Sequence, residues 1–185
     1  MYDRPRLSMS VALQKLGYSI NTTDMKEINQ ATEELIKQKP LVYAYLTDEA
    51  RDVIIQGDAA MTVMYSGDAL LMSKENPNLK YVIPKEGGNR QVDSLAIPKK
   101  AQKKKNAEIF INYFTDPKIS AANAEWMEGF TSPVKGVREM LPDYIKNSNE
   151  AYPDEKTLPK IEMFKDLEDY MEVYNNAWVK VLASY

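Results

Sequence analysis

The 185-residue chain contains no cysteine and no histidine. Without cysteine there is no disulfide, no thiol nucleophile and no thiolate-held zinc or iron–sulfur centre. Without histidine there is no Ser-His-Asp triad, none of the usual zinc-enzyme ligand sets, and not the commonest general base at neutral pH. Glycine is scarce at 7 residues, which leaves no glycine-rich phosphate loop. No stretch approaches the roughly 20 apolar residues of a membrane-spanning helix. The opening Met1-Tyr2-Asp3-Arg4-Pro5-Arg6 has no apolar core of the secretory-signal kind. A surplus of positive charge is lacking too: 24 Lys and Arg against 27 Asp and Glu give a net charge of −3, which argues against a nucleic-acid partner. What remains is carboxylate, lysine, tyrosine or hydroxyl chemistry, or binding without catalysis. No pattern calls for a metal or a cofactor.

What is present is a globular balance, 44% apolar and 28% charged, with 12 tyrosines. Leu7, Val11 and Leu16 recur near helical spacing, with Gly17 as the stop. Asp24 and Glu27 open a second helix carrying Met25, Ile28, Ala31, Leu35 and Ile36, and Pro40 ends it. The apolar runs 41–46 and 59–65 read as buried strands, and 80–83 and 91–97 as further strands. Thr47 is placed to cap a short helix from Asp48 to Gln56, and Ser66 another through Met72. From Asn106 the period is helical: Ile109, Phe110, Tyr113 and Phe114 make one apolar face, a second helix runs from Lys118 to about Trp126, and a short one from Val134 to Leu141. Leu167, Tyr170, Met171, Tyr174, Ala177, Trp178, Val181 and Leu182 mark the last helix. Strands alternating with helices predict an α/β fold with parallel pairing.

Three features could carry chemistry. Lys99, Lys100, Lys103, Lys104 and Lys105 form a basic run, but no aromatic residue interleaves it, so a solvated loop and helix start is the better reading. Glu125 with Glu128, and Asp48 with Asp52, have spacings a carboxylate hydrolase could use; in a chain this charged they read as solvated helix faces. The third feature stands apart. Tyr65 closes an apolar run and precedes Ser66-Gly67-Asp68, which starts a helix, and ligands of open α/β sheets bind beyond the carboxyl ends of strands. Asp93 lies inside the apolar run 91–97, sharing a face with Gln91 and Leu95. A carboxylate there needs a cation or hydrogen bonds. Either a structural ion pair with a nearby Lys or Arg or a receptor for a cationic ligand satisfies it.

Several stretches carry a resemblance. Leu16-Gly17-Tyr18-Ser19, Asn21-Thr22-Thr23, Gln56-Gly57-Asp58-Ala59-Ala60, Tyr65-Ser66-Gly67-Asp68-Ala69, Val82 through Gly88 and Asp93-Ser94-Leu95-Ala96-Ile97-Pro98 do so in order. They are followed by Phe110 through Phe114 before Asp116-Pro117, and by Thr131-Ser132-Pro133. Together they resemble the spermidine/putrescine-binding proteins of ABC importers. The resemblance implies a periplasmic-binding-protein-like (type II) lobe plus part of the second lobe, in a protein about twice this long whose amino-terminal half is missing here. It implies residues 1–94 and 143–185 in the carboxyl-terminal ligand-binding lobe, and 95–142 in the amino-terminal lobe. It also implies an extracytoplasmic location, often with a lipid anchor, permease subunits of an ABC transporter as partners, and no enzymatic activity.

A polyamine is a flexible cation with apolar methylenes between its ammonium groups. Carboxylates suit the charges and aromatic walls suit the methylenes. By resemblance Asp93 takes the place of a carboxylate that pairs with a ligand ammonium, Tyr65 that of an aromatic wall, Thr47 that of a small hydroxyl residue, and Phe130 that of a tyrosine. Gln91 stands where an aromatic residue is common and Phe164 where an amide is common. Arg4 and Leu7 replace acidic residues, with Asp3 beside the first. Another ligand of the two-lobe superfamily, ferric iron or a different small cation, is the alternative, and a carboxylate hydrolase a more distant one. The apolar face of 109–141, deprived of its partner, is expected to drive a homodimer.

Overall fold

A computed structural model describes residues 1–184. Its helices are α1 (Pro5–Lys15), α2 (Met25–Gln38), α3 (Ala50–Gln56), α4 (Ser66–Glu75), α5 (Lys104–Phe114), α6 (Pro117–Trp126), α7 (Val137–Met140), α8 (Asp143–Lys146) and α9 (Tyr170–Ala183). A single 3-10 turn, Lys39–Leu41, follows α2. The strands are β1 (Gly88–Arg90) and β2 (Ile161–Met163), paired in parallel with Gly88 opposite Ile161 and Arg90 opposite Met163. The chain divides into two units, residues 1–64, 82–91 and 158–185 in one and 65–81 and 92–157 in the other.

The first unit is built on α1, α2 and α9. Met9, Ala12 and Leu13 of α1 meet Ile28, Ala31 and Leu35 of α2 and Tyr174, Trp178 and Val181 of α9, all buried. Each large side chain here contributes about 1.5–3 kcal/mol by leaving water. The caps follow the sequence closely. Asp24 accepts a hydrogen bond from the Lys26 N–H at 2.7 Å, Gly17 takes φ +80° after α1 and Gly57 φ +85° after α3. Two side chains tie α9 to its surroundings: the Tyr174 hydroxyl donates to the Thr22 carbonyl at 2.9 Å, and Lys39 Nζ donates to the Leu182 carbonyl at 2.7 Å and to those of Val181 and Ser184. A cation on the last carbonyls of a helix opposes their partial negative charge.

The second unit packs Leu70 of α4 against Ala121 and Ala124 of α6, Val137 of α7, and Leu141 and Ile145. Asp116 caps α6 by accepting from the Lys118 and Ile119 N–H groups. Helix α5 buries no residue: Ile109, Phe110 and Tyr113 are exposed, and its rings meet only each other, Phe110 to Phe114 at 4.8 Å between centroids.

Some expectations change. The runs 41–46, 59–65, 80–83 and 91–97 are not strands, apart from a lone bridge between Tyr2 and Leu46. Nor are they buried, since Leu41 is 86% exposed and Met61 85%, with Val82, Val92 and Leu95 also in water. Strand pairing needs a neighbouring backbone, and none of the described residues supplies one. Residues 84–87 form a turn, the Gly87 N–H donating to the Pro84 carbonyl, and β1 follows at once. There the Gly88 N–H donates to the Lys160 carbonyl and Gln14 Nε2 donates to the Gly88 carbonyl. The buried stripe of α1 is Met9, Ala12 and Leu13, not Leu7, Val11 and Leu16, because Tyr174 and Trp178 approach from that side. In the second unit, residues 65–81 join 92–157 because Leu70 packs with the helices that follow 117.

Burial pushes the Tyr174 phenol up to about 12. The folded chain therefore keeps a proton that the unfolded chain releases above pH 10. The stability from this group is complete below about pH 10 and falls as pH rises toward 12, by about 2–3 kcal/mol over the window. Tyr174→Phe should flatten that alkaline loss, at a cost near neutrality of about 1 kcal/mol for the lost hydrogen bond. Urea unfolding at pH 8 and pH 11.5 on both proteins checks it.

Candidate functional site

In the second unit the start of α4 gathers two of the expected aromatic residues. Tyr65 occupies the N-cap position with extended backbone, φ −69° and ψ 147°, and is half-buried. Two residues on, Gly67 is buried beneath the ring of Phe130: a Cβ there would lie 2.8 Å from Phe130 Cδ2. Gly129 makes the approach possible. Its φ is +134°, and a Cβ on it would meet the Gly67 carbonyl oxygen at 2.7 Å. The loop is pinned farther on, where the Ser132 hydroxyl lies 2.6 Å from that of Ser120 on α6 and accepts the Val134 N–H. Helix α4 and the 129–134 loop thus fix Tyr65 and Phe130 at the same end of the unit.

Asp93 follows on the exposed segment 91–97. The expectation of a carboxylate in a buried strand is overturned, because the segment lies open to water. None of the Lys or Arg ion pairs recorded among the described residues involves it. Its charge is therefore not consumed by a structural salt bridge. Gln91, which belongs to the first unit, is exposed as well.

The remaining candidates lie in the first unit. The Asp3 N–H donates to the Leu46 carbonyl at 2.8 Å, which brings Asp3 beside the loop of Thr47. Asp3 is already engaged, since Trp178 Nε1 donates to its Oδ1 at 2.9 Å. Thr47 is engaged too: its hydroxyl donates to Glu49 Oε2 at 2.9 Å, so it stands in the turn before α3 and is not the helix cap. Phe164 follows β2 and is covered by a residue that sequence reasoning missed. The Arg6 guanidinium carbon lies 4.8 Å from the centroid of the Phe164 ring and 4.9 Å from that of Tyr174. Its Nη1 donates to the Lys165 carbonyl and to Met171 Sδ, and its Nη2 to the Ile20 carbonyl and to Asn21 Oδ1. Asn21 completes the knot, donating to the Met163 carbonyl at 2.8 Å and accepting the Lys165 N–H. Burial draws the Arg6 guanidinium below its ordinary value, yet such a group stays protonated at any physiological pH.

Neither carboxylate pair forms a catalytic arrangement. Glu128 is bonded to Lys74 at 3.2 Å and Asp48 accepts from the Tyr2 hydroxyl at 3.1 Å. Among the described residues no group of three or more Asp and Glu could hold a metal ion, and no helix is long and apolar enough to cross a membrane. The five lysines from 99 to 105 are all exposed, in keeping with a solvated helix start. An exposed carboxylate and two aromatic rings at the start of a helix suit a cation with apolar stretches, because a ring face attracts charge and its body covers methylenes.

A helix-rich unit with a parallel strand pair, in a chain that crosses repeatedly between two units, is the make-up of solute-binding lobes. The chain belongs to the bacterial extracellular solute-binding protein family, which it matches over residues 1–153. It is 36% identical over 181 residues to the spermidine/putrescine-binding periplasmic protein of Salmonella typhimurium, covering 98% of this chain and 52% of that protein. With the Escherichia coli protein of the same description the identity is 34% over the same share. A spermidine/putrescine ABC transporter protein from Listeria monocytogenes superimposes with a TM-score of 0.92 at 32% identity, over 100% of this chain and 57% of that one. The substrate-binding protein PotD of Streptococcus pneumoniae superimposes at 0.79 and 29% identity, over 98% and 56%. The fold is therefore periplasmic-binding-protein-like, and the chain spans about half the length of the curated relatives it matches.

The contact of Gly129 with Gly67 generates a prediction. Gly129→Ala forces a strained φ and a backbone clash, so it should destabilise the second unit by about 2–3 kcal/mol. Gly136→Ala, at φ +85° with open space around it, should cost only about 1 kcal/mol. Thermal unfolding of both variants checks the order.

Proposed function

We propose that this chain is the carboxyl-terminal part of an extracytoplasmic solute-binding protein that captures spermidine or putrescine and delivers it to the permease subunits of an ABC importer. The observation that carries the reading is Asp93, exposed and outside the recorded ion pairs, in the same unit as the Tyr65 and Phe130 rings. The similarity over 98% of the chain to proteins described as binding these polyamines supports it. In this reading the chain binds and does not catalyse. Asp93 pairs with a ligand ammonium and Tyr65 and Phe130 cover methylenes; the family resemblance adds Gln91, Thr47, Asp3 and Phe164 as ligand-binding positions. Residues 1–94 and 143–185 then form one lobe, and 95–142 return to a lobe completed by an amino-terminal half. The parent protein acts outside the cytoplasmic membrane, where a lipid anchor would hold it near its transporter.

Half of a two-lobe receptor encloses its ligand from one side only. The isolated chain should bind spermidine two to four orders of magnitude more weakly than a complete receptor, since two charge-assisted contacts of about 1.5–3 kcal/mol each are absent. Asp93→Asn should lower what affinity remains by about tenfold or more. Isothermal titration of both proteins with spermidine and putrescine tests this. A submicromolar dissociation constant, or an affinity indifferent to Asp93→Asn, overturns it.

The exposed rings of α5, with Trp126 83% exposed after α6, form a face that the other half would cover. In its absence the chain should pair with a second copy through this face. Light scattering coupled to size exclusion should then give twice 21.1 kDa, returning to one chain mass in Phe110→Ser/Tyr113→Ser; a wild type that stays at one chain mass over a wide concentration range contradicts the dimer.

A further inference from the structure

The loop that carries Phe130 onto α4 is held in a conformation its residues do not favour. Glu128 has φ +47° and, with Glu168, is one of two non-glycine residues in the left-handed region among the described residues. Gly129 follows at φ +134°. A glutamate at positive φ is uncommon and persists only where surrounding contacts hold it. The contact is Lys74, in the last turn of α4, whose Nζ lies 3.2 Å from Glu128 Oε2. A half-exposed ion pair between two free side chains contributes little. Lys74 is steadied from a second side, since its Nζ lies 4.6 Å from the centroid of the Tyr144 ring on α8, and a cation suits the C-terminal turn of a helix. Less freedom is lost when one partner is already placed. The same loop reaches the first turn of α4. A Cβ on Gly67 would lie 2.8, 2.9 and 3.0 Å from Cδ2, Cε2 and Cγ of Phe130. Near-equal distances to three neighbouring ring atoms put Gly67 against the face of the ring, not its edge. One face of Phe130 thus rests on α4, and the ring is half-buried. Lys74, Glu128, Phe130 and Tyr144 all belong to the second unit.

We propose that Lys74 and Glu128 are positioning residues for the ligand site: their ion pair holds the 128–130 turn against α4 and so keeps the Phe130 ring on Gly67, leaving its other face for the methylenes of a polyamine. The inference rests on the polyamine reading above and deepens it. Neither residue touches the ligand; both act through Phe130. A pair that positions a ring and a pair that acts through its charges predict different signs. Removing Lys74 takes away a positive charge, which by field alone favours a cationic ligand. Removing Glu128 takes away a negative one, which by field alone disfavours it. When the pair positions the ring, both losses weaken binding.

The test is isothermal titration of the 185-residue chain with spermidine, alongside the proton NMR shift of the Gly67 Hα that faces the ring. In the wild type that hydrogen should be shifted upfield by the ring current of Phe130. Lys74→Met and Glu128→Gly should each move it back toward the random-coil value, and each should weaken spermidine binding about threefold, the loss of a surface ion pair expressed as a ratio. Glu128→Gly separates positioning from folding, because glycine accepts the positive φ without strain while the carboxylate is lost. Its thermal midpoint should stay within about 3 °C of the wild type as its affinity falls. The exchanged pair Lys74→Glu/Glu128→Lys should recover the shift and bring the affinity back to within about twofold. Tighter binding in Lys74→Met overturns the inference and leaves the polyamine reading standing. So does an affinity, or a Gly67 shift, unmoved by both single substitutions. A wild type that binds neither spermidine nor putrescine at millimolar concentration overturns both.

Discussion

A β-strand is held by its neighbours, and this constraint governs the molecule more than any single contact. A helix closes its own hydrogen bonds, so α1, α2 and α9 form a dry core around Tyr174 and Trp178 from residues 1–38 and 170–183 alone. Strands cannot do this. Segments 59–65 and 91–97 have the apolar composition of buried strands, yet the first is at most half-buried, the second is almost wholly exposed, and neither has ladder partners among the described residues. Among the described residues, apart from the lone bridge of Tyr2 to Leu46, β1 and β2 alone pair, three residues each, and Gln14 of α1 bonds to Gly88 there. The curated relatives that the chain matches are about twice as long, and in the two-lobe reading proposed above the partner strands belong to the remaining half.

The same division separates a stiff frame from a surface meant to be covered. Arg6 is the centre of the frame, joining α1 to the turn at Ile20 and Asn21, to the segment after β2, and to α9. Glu162 of β2 extends it, accepting from the Ser19 hydroxyl at 2.6 Å and pairing with Lys160 at 3.1 Å; burial alone would push its carboxyl up, and those partners together hold it below the usual range. The other part is the opposite in character: Phe110, Tyr113 and Trp126 lie exposed. A receptor that closes over a ligand needs both, since rigid walls lower the ordering cost of binding and a mobile junction lets the ligand in.

Helices were legible because their signals are local. Asp24, Gly17, Gly57 and Asp116 each stop or start a helix by bonding within a few residues, and the period of the last helix predicted Tyr174 and Trp178 in the core. The strands were not, because apolar composition reports what a segment could bury, not whether a neighbour is present to bury it. The same error placed Asp93 in an interior it does not occupy. For the site, residue type was readable and engagement was not. Asp3 and Thr47 looked available and are bonded to Trp178 and Glu49. Arg6 gave no signal at all, because its six partners come from three distant stretches of chain. The aromatic pair was half legible: Tyr65 announced itself before Ser66-Gly67, while the seat of Phe130 on Gly67 depends on the positive φ of Gly129, visible in the sequence only as one more glycine.

Amide hydrogen exchange, read residue by residue on the 185-residue chain, tests the account most directly. The central claim is that helical cores stand alone while the apolar extended segments wait for strands from elsewhere. Amides in α1, α2 and α9 should then be strongly protected, and those of 59–65 and 91–97 should exchange near the rate of an unstructured peptide. Protection of 59–65 and 91–97 comparable to that of α9 would mean that these segments already have partners within the chain, and would contradict it.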